Sequence, residues 1–215
     1  KETLVAAGDR SDKIRDKVKT IAGLTENFIS DVPIFLILDE IQRDVAEEAL
    51  CIESSGTLTI VNGTASYTEP TGFFRSRKLS LPSGMTIPIR EIDYDEYDRI
   101  TRVSTSSASQ SPVYFTRWAG NVIFYPTPSA SGTYTWYFHK IPSTTTSTTV
   151  DPETPARMDT LLFYGVMARI LPHKQDFKLA EYYHGLYRDE LDRQIKLQRK
   201  SKSMTLEIYP DEAYA

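Results

Sequence analysis

The period of the apolar residues changes twice along this chain, and that double change limits the fold more than any motif does. Up to about residue 52 apolar side chains recur at helical spacing. From Thr57 they alternate with period two, and from about Ala156 the helical spacing returns. Blocks of helix, strand and helix in that order predict an α+β protein, a helical scaffold interrupted by an antiparallel β-rich insert. In the first block Ile14, Val18, Ile21 and Leu24 mark a short amphipathic helix over 12–24. Ser30 or Asp31 can cap a second helix that tolerates Pro33 in its first turn and carries Ile34, Leu38, Ile41, Val45, Ala49 and Ile52.

In the middle block 58–61 and 64–67 flank Asn62-Gly63, a tight-hairpin signal, because Asn-Gly supplies the positive φ angles of a type I′ turn. Further strands are expected at 73–81, 86–90, 113–117, 121–125 and 133–140, with helical turns at 93–101 and a polar loop at 104–111. In 133–140 Tyr134, Trp136 and Phe138 share one face, and Thr135, Tyr137 and His139 the other. Aromatics on both faces predict a strand covered on both. A Ser/Thr-rich connector at 143–149 and Pro152 and Pro155 end the region.

The third block holds a helix over 156–170, stopped by Pro172, and a long one over 176–202. One stripe of the latter is Phe177, Ala180, Tyr183, Tyr187, Leu191 and Ile195, and a second is Leu179, Tyr182, Leu186 and Leu197. Two stripes exceed what one intrachain partner covers, so either a neighbouring subunit takes the second or the helix lies deeper in its own domain. Beyond it Thr205 to Tyr209 alternate like a strand, read as an arm for a partner's sheet edge or groove, or else a frayed tail. The domains so read are N-terminal helices 1–52, the β-rich insert 53–150, a helical hairpin 151–202 and an extended arm 203–215.

Composition excludes several classes. Its 215 residues suit one large or two small domains at about 100–200 residues each. No run nears the ~20 apolar residues of a membrane span. Lys plus Arg is 25 against Asp plus Glu 29, a net charge of −4, which disfavours tight general binding to nucleic acid. The single Cys51 makes no internal disulfide and reads as a buried small hydrophobe. The first residue is Lys, and no apolar signal core follows, which fits a trimmed N-terminus and synthesis in a reducing compartment.

The residues show no catalytic constellation, metal site or cofactor site. His139, His173 and His184 lie in unrelated contexts, and no GxSxG, GxxxxGK[ST] or GxGxxG occurs. Glu91, Asp93, Asp95, Glu96 and Asp98 interleave with Tyr94, Tyr97 and Ile100 and read as a solvated helical face; a hydrolase acting through Asp93, Asp95 and Glu96 would need a metal. Arg75, Arg77 and Lys78 form a small basic patch that could touch a phosphate or an acidic neighbouring subunit, or else serve no function. Arg188, Arg193, Lys196, Arg199, Lys200 and Lys202 make the end of the last helix basic, which also suits its dipole.

Gly63-Thr64-x-x-Tyr67, Ser111-Pro-Val-Tyr114, the passage from Gly120 through Tyr125-Pro-Thr-Pro128, the aromatic strand from Tyr134 to Lys140 with Pro142, and the helical hairpin holding Asp176 and Ala180 follow one another between helical flanks. Over about residues 10 to 200 this order resembles the head-to-tail adaptor, or connector, proteins of tailed bacteriophages. The resemblance implies a non-enzymatic virion protein made in the host cytoplasm. It would form a homo-oligomeric ring, commonly of twelve copies, that joins the portal protein to the next tail component (nozzle, stopper or tail-tube protein) and lines the channel through which genomic DNA passes. Within that frame Leu206, Ile208 and Tyr209 are expected to anchor the arm on the portal, with Arg199, Lys200 and Lys202 as rim charges. Leu179, Tyr182, Leu186, Leu197, Arg75 and Arg77 are expected at inter-subunit contacts. The alternative is a β-rich tail module that binds a receptor or glycan through Trp118, Trp136 and Tyr137.

Overall fold

The computed structural model describes residues 9–24, 30–80, 89–103, 111–143 and 146–204, with backbone alone at 80 and 200–204. It is α+β, and the chain divides into two compact units: one made of the residues up to Ile52 and from Ile141 onward, the other Glu53–Lys140. The boundary after the strands falls at Lys140, ahead of the Ser/Thr-rich connector.

Five α-helices are described, four of them in the first unit: α1 (Asp9–Ala22), α2 (Asp31–Ala49), α4 (Asp159–Ile170) and α5 (Phe177–Met204); α3 (Tyr94–Val103) belongs to the β unit. Their apolar faces meet in one core in which Ile34, Leu38, Val45, Leu161, Leu162, Val166, Met167 and Ile170 are fully enclosed. Leu24 is covered as expected, but Ile21 is exposed, because α1 buries only Ser11, Ile14, Val18 and Ala22 on one narrow side. At Gly165 an added Cβ would lie 2.8 Å from Ile41 Cγ2 and 3.1 Å from Tyr187 Cε2, so a glycine lets α2 and α5 close on α4.

Both ends of α1 are held by residues far along the chain. Asp151 Oδ1 accepts the N–H groups of Arg10 (2.9 Å) and Ser11 (3.0 Å), which would otherwise be unpaired at a helix start. The Arg10 guanidinium pairs with Asp159 and donates to the carbonyls of Pro152 and Thr154, both at 3.0 Å. At the other end Gly23 sits at φ +59 and Leu24 N–H reaches the Lys19 carbonyl (2.9 Å), a Schellman closure, while Lys174 donates to the Ala22 carbonyl. The connector is pinned by Asp39, 5% exposed, whose Oδ1 accepts Thr146 N–H (2.7 Å), Thr146 Oγ1 (2.8 Å) and Gln42 Nε2 (2.9 Å).

The β unit is two sheets packed face to face. Strands β1 (Glu53–Ile60), β7 (Gly132–Lys140) and β3 (Phe73–Ser80) form one, in the order β1-β7-β3. Strands β2 (Ser66–Thr68), β6 (Asn121–Tyr125), β5 (Tyr114–Trp118) and β4 (Arg90–Glu91) form the other, in the order β2-β6-β5-β4. Between them Phe115 meets Trp136 edge-on at 5.8 Å and Phe124 meets Tyr134 at 6.0 Å. The helix α3 (Tyr94–Val103) packs against β5.

Three expectations about these strands are corrected. The Asn62-Gly63 turn forms, with Thr64 N–H on the Val61 carbonyl (3.1 Å), but only Gly63 takes a positive φ, so it is not type I′, and the strands on either side do not pair. Instead β1 pairs with β7 over its whole length, Glu53 opposite His139 through Ile60 opposite Gly132, a longer partner than 64–67 could offer. Tyr67 locks the turn: its hydroxyl accepts the Val61 N–H (2.9 Å) and donates to the Thr64 carbonyl (2.8 Å). The tight hairpin lies at Ala119-Gly120, φ +50 and +74, between β5 and β6. The insert is also not wholly antiparallel, since β4 runs parallel to β5. Finally, Tyr134, Trp136 and Phe138 of β7 are buried, yet Tyr137 on its other face is exposed, because among the described residues that face is covered only at His139. The expected strand 86–90 and the loop 104–111 fall mostly outside the described residues.

Candidate functional site

The last helix presents two unlike sides. Asp176 Oδ1 accepts the Leu179 N–H at 3.2 Å and caps its start. On the inner side Ala180 and Leu191 are buried, and Leu179, Tyr183, Tyr187 and Ile195 lie on the helical core. Burial, with the negative charges of Asp44 and Glu48 adding to it, pushes the Tyr187 phenol up to about 12. Glu190 accepts both Arg193 (2.6 Å) and Gln194 (2.8 Å), and the bond from Arg193 holds its carboxyl below the usual carboxylate range. On the outer side Tyr182 and Leu197 are 60% and 47% exposed, and Leu186 is half-buried. In the first stripe Ala180 and Leu191 are buried, Tyr183, Tyr187 and Ile195 are half-buried, and Phe177 at the helix start is 65% exposed. The second divides, with Leu179 covered by its own unit and Tyr182 and Leu197 open.

In the β unit Arg75 and Arg77 stand exposed on β3, an outer strand, and Arg77 pairs with Glu53 at 2.7 Å across β7. The acidic run forms α3 and its approach. None of the helix residues is buried; Tyr97 leans on Tyr125 (6.2 Å, edge-on), and Asp98 pairs with Arg102 at 2.9 Å. Under the start of α3 lies an open cavity of about 460 Å³ whose lining includes Glu91, Asp93, Glu96, Thr116 and Arg117. Burial raises the Glu91 carboxyl, opposed chiefly by the Arg117 charge 3.8 Å away. Arg117 is itself held by Glu69 at 2.6 Å and lies over the Phe73 ring.

Among the described residues no group of three or more His, Cys, Asp or Glu side chains could hold a metal ion, and no helix is long and apolar enough to cross a membrane. Residues 11–208, a span that runs through both units, match the family model of the SU10 adaptor protein, a phage head-to-tail adaptor family. The chain belongs to the SU10 adaptor family. No curated protein matches it. An SU10-type adaptor is a structural component of the phage virion, and it associates with other head and tail components.

The residues expected to matter in this adaptor are dispersed over several surfaces. Tyr182, Leu186 and Leu197 lie along α5, Arg75 and Arg77 on β3, and Arg199 is exposed near the end of α5. Leu206, Ile208 and Tyr209 and the side chains of Lys200 and Lys202 fall outside the described residues. The aromatic trio of the alternative reading does not form a surface. Trp136 is 1% exposed and gives its Nε1–H to Ser76 Oγ (2.9 Å), which leaves Trp118 and Tyr137 as the exposed members. What sequence reasoning missed is that Trp118 stacks on Tyr94, rings 4.5 Å apart at 27°. The available signal was an aromatic at the end of a strand beside a turn, with a Tyr at the head of an amphipathic helix.

Proposed function

We propose that this adaptor is a non-enzymatic ring former that sits beneath the portal, links capsid to tail and lines the DNA exit path. The observation that carries the ring is the open side of α5: Tyr182 and Leu197 stand in water on a helix whose other side already fills its own core. Identical subunits close head to tail only when each has two different complementary surfaces. The open side of α5 supplies one, and the Arg75 and Arg77 strand another candidate. Copy number is taken as twelve, after the family resemblance. The β unit reaches the next tail component, a nozzle, stopper or tail-tube protein. Residues 203–215 dock on the portal through Leu206, Ile208 and Tyr209, with Arg199, Lys200 and Lys202 steering the approach. A net charge of −4 suits a conduit, since a wall that neutralised many phosphates would hold the DNA it must pass.

Two variants test this. Replacing both Tyr182 and Leu197 by Ser should reduce ring formation in the presence of portal by about tenfold or more, equivalent to about 1.4 kcal/mol, with the melting temperature unchanged; mass photometry reads the outcome. Deleting residues 203–215 should lower incorporation into portal-bearing particles. Undiminished incorporation refutes the arm, and a wild-type protein that stays monomeric with portal refutes the ring.

A further inference from the structure

The β unit carries one place where a cavity, an exposed ring pair and a buried polar group without a partner coincide. Side chains alternate along β5: Phe115 and Arg117 turn to Trp136 and Phe73, so Thr116 and Trp118 turn to the opposite face, the one on which α3 lies. Thr116 is 1% exposed, lines the cavity of about 460 Å³, and its hydroxyl has no hydrogen-bond partner. That hydroxyl is enclosed in the cavity wall, so the groups that face the cavity are the charged side chains. A second, adjoining cavity of about 690 Å³ shares Asp93, Tyr94 and Glu96 with the first and is walled by Trp118. Trp118 is 58% exposed and Tyr94 37%, so the stacked pair offers a flat apolar platform to solvent beside a polar pocket.

The lining decides what fits. Four carboxylates, Glu91, Asp93, Asp95 and Glu96, oppose phosphate and other anions, and the guanidinium groups of Arg90, Arg99 and Arg117 oppose a free cation. Among the described residues the metal-binding option is closed by the absence of a ligand group. Single-stranded nucleic acid couples stacking rings to a positively charged groove, which this is not. A wholly apolar ligand would strand the carboxylates. A neutral molecule with hydroxyls around an apolar face suits this lining: its hydroxyls donate to carboxylates and accept from guanidinium N–H, and its C–H face lies on the indole.

We propose that this site binds a neutral oligosaccharide, with Trp118 stacked on Tyr94 as its platform. The assignment does not depend on ring formation. The chain has two tryptophans, and since Trp136 is buried, emission changes report on Trp118. The full chain is titrated with cellotetraose, maltotetraose and chitotetraose, each to about 10 mM, ten times a Kd that corresponds to about −4.1 kcal/mol. At least one should shift the emission saturably. By calorimetry Trp118→Ala should abolish that binding and Trp118→Phe should retain part of it. Glu96→Gln, which removes a carboxylate that lines both cavities but keeps the shape, should weaken it by about fivefold without lowering the melting temperature. Lack of response to all three sugars overturns the proposal, as does binding that is indifferent to Trp118→Ala and Glu96→Gln. If no sugar binds and Trp118→Ala instead impairs assembly with portal, the platform is a protein contact and the sugar assignment is wrong.

Discussion

In the helical unit the buried side chains are mainly Ile, Leu, Val, Met and Ala spread over four helices, with Phe35 and Phe163 the only enclosed rings among those described. In the β unit the enclosed core is Phe115, Phe124, Tyr134 and Trp136 set among Leu58, Ile60 and Val122. The difference is one of distribution. Aliphatic side chains at helical spacing each touch a few neighbours, so the loss of one leaves the rest in place. Rings that bridge two sheets each touch several others: Trp136 meets Phe73, Phe115 and Phe138 at 4.5, 5.8 and 6.5 Å. A core made of a few large pieces fails at single positions, and a core made of many small ones fails gradually.

The strongest way to break that contrast is Trp136→Ala. It removes the central ring, leaves Ser76 without its indole donor, and should cost about 3–5 kcal/mol. Hydrogen exchange should show β1, β7 and β3 losing protection while α2 and α4 keep theirs. Uniform loss over both units would mean they open together. A smaller effect is expected from Gly165→Ala. The new methyl presses on Ile41 and Tyr187 and should destabilise the helical unit by about 1–3 kcal/mol, measured by denaturant midpoint. A neutral result would show that α2 and α5 can retreat from α4. Cys51 supplies the finest probe. It is buried in the helical core, and burial raises its thiol to about 11. At pH 8 it should react with a disulfide reagent on the order of a hundredfold more slowly than a free thiol of pKa about 8.5. In Trp136→Ala it should stay protected, because it belongs to the other unit.

The helices were legible because their evidence is local: the stripe of Ile34, Leu38, Ile41 and Val45 is buried as spacing alone predicts. Individual strands were legible for the same reason, but their partners were not. Asn62-Gly63 foretold a turn correctly, and then β1 joined β7, since pairing is settled by which distant strand offers the longer matching edge. The register of β7 predicted its enclosed ring face but not that Tyr137 would remain open. Of the candidate surfaces, the second stripe of α5 could be counted from sequence, whereas its division between Leu179, which packs on the helical core, and the exposed Tyr182 depends on tertiary packing. The Tyr94–Trp118 stack joins a helix to a strand tip and leaves no periodic trace. The unpartnered Thr116 hydroxyl is visible only once α3 is seen to cover it.

The pairing of Glu53 with His139 means that the first and last strands of the β unit are zipped side by side, so the polypeptide enters and leaves it at neighbouring points, about 5 Å apart between paired Cα atoms. Such a module is a cassette on two adjacent stems. Evolution can lengthen it, trim it or trade it for another with the same stems while the flanking helices keep their own course.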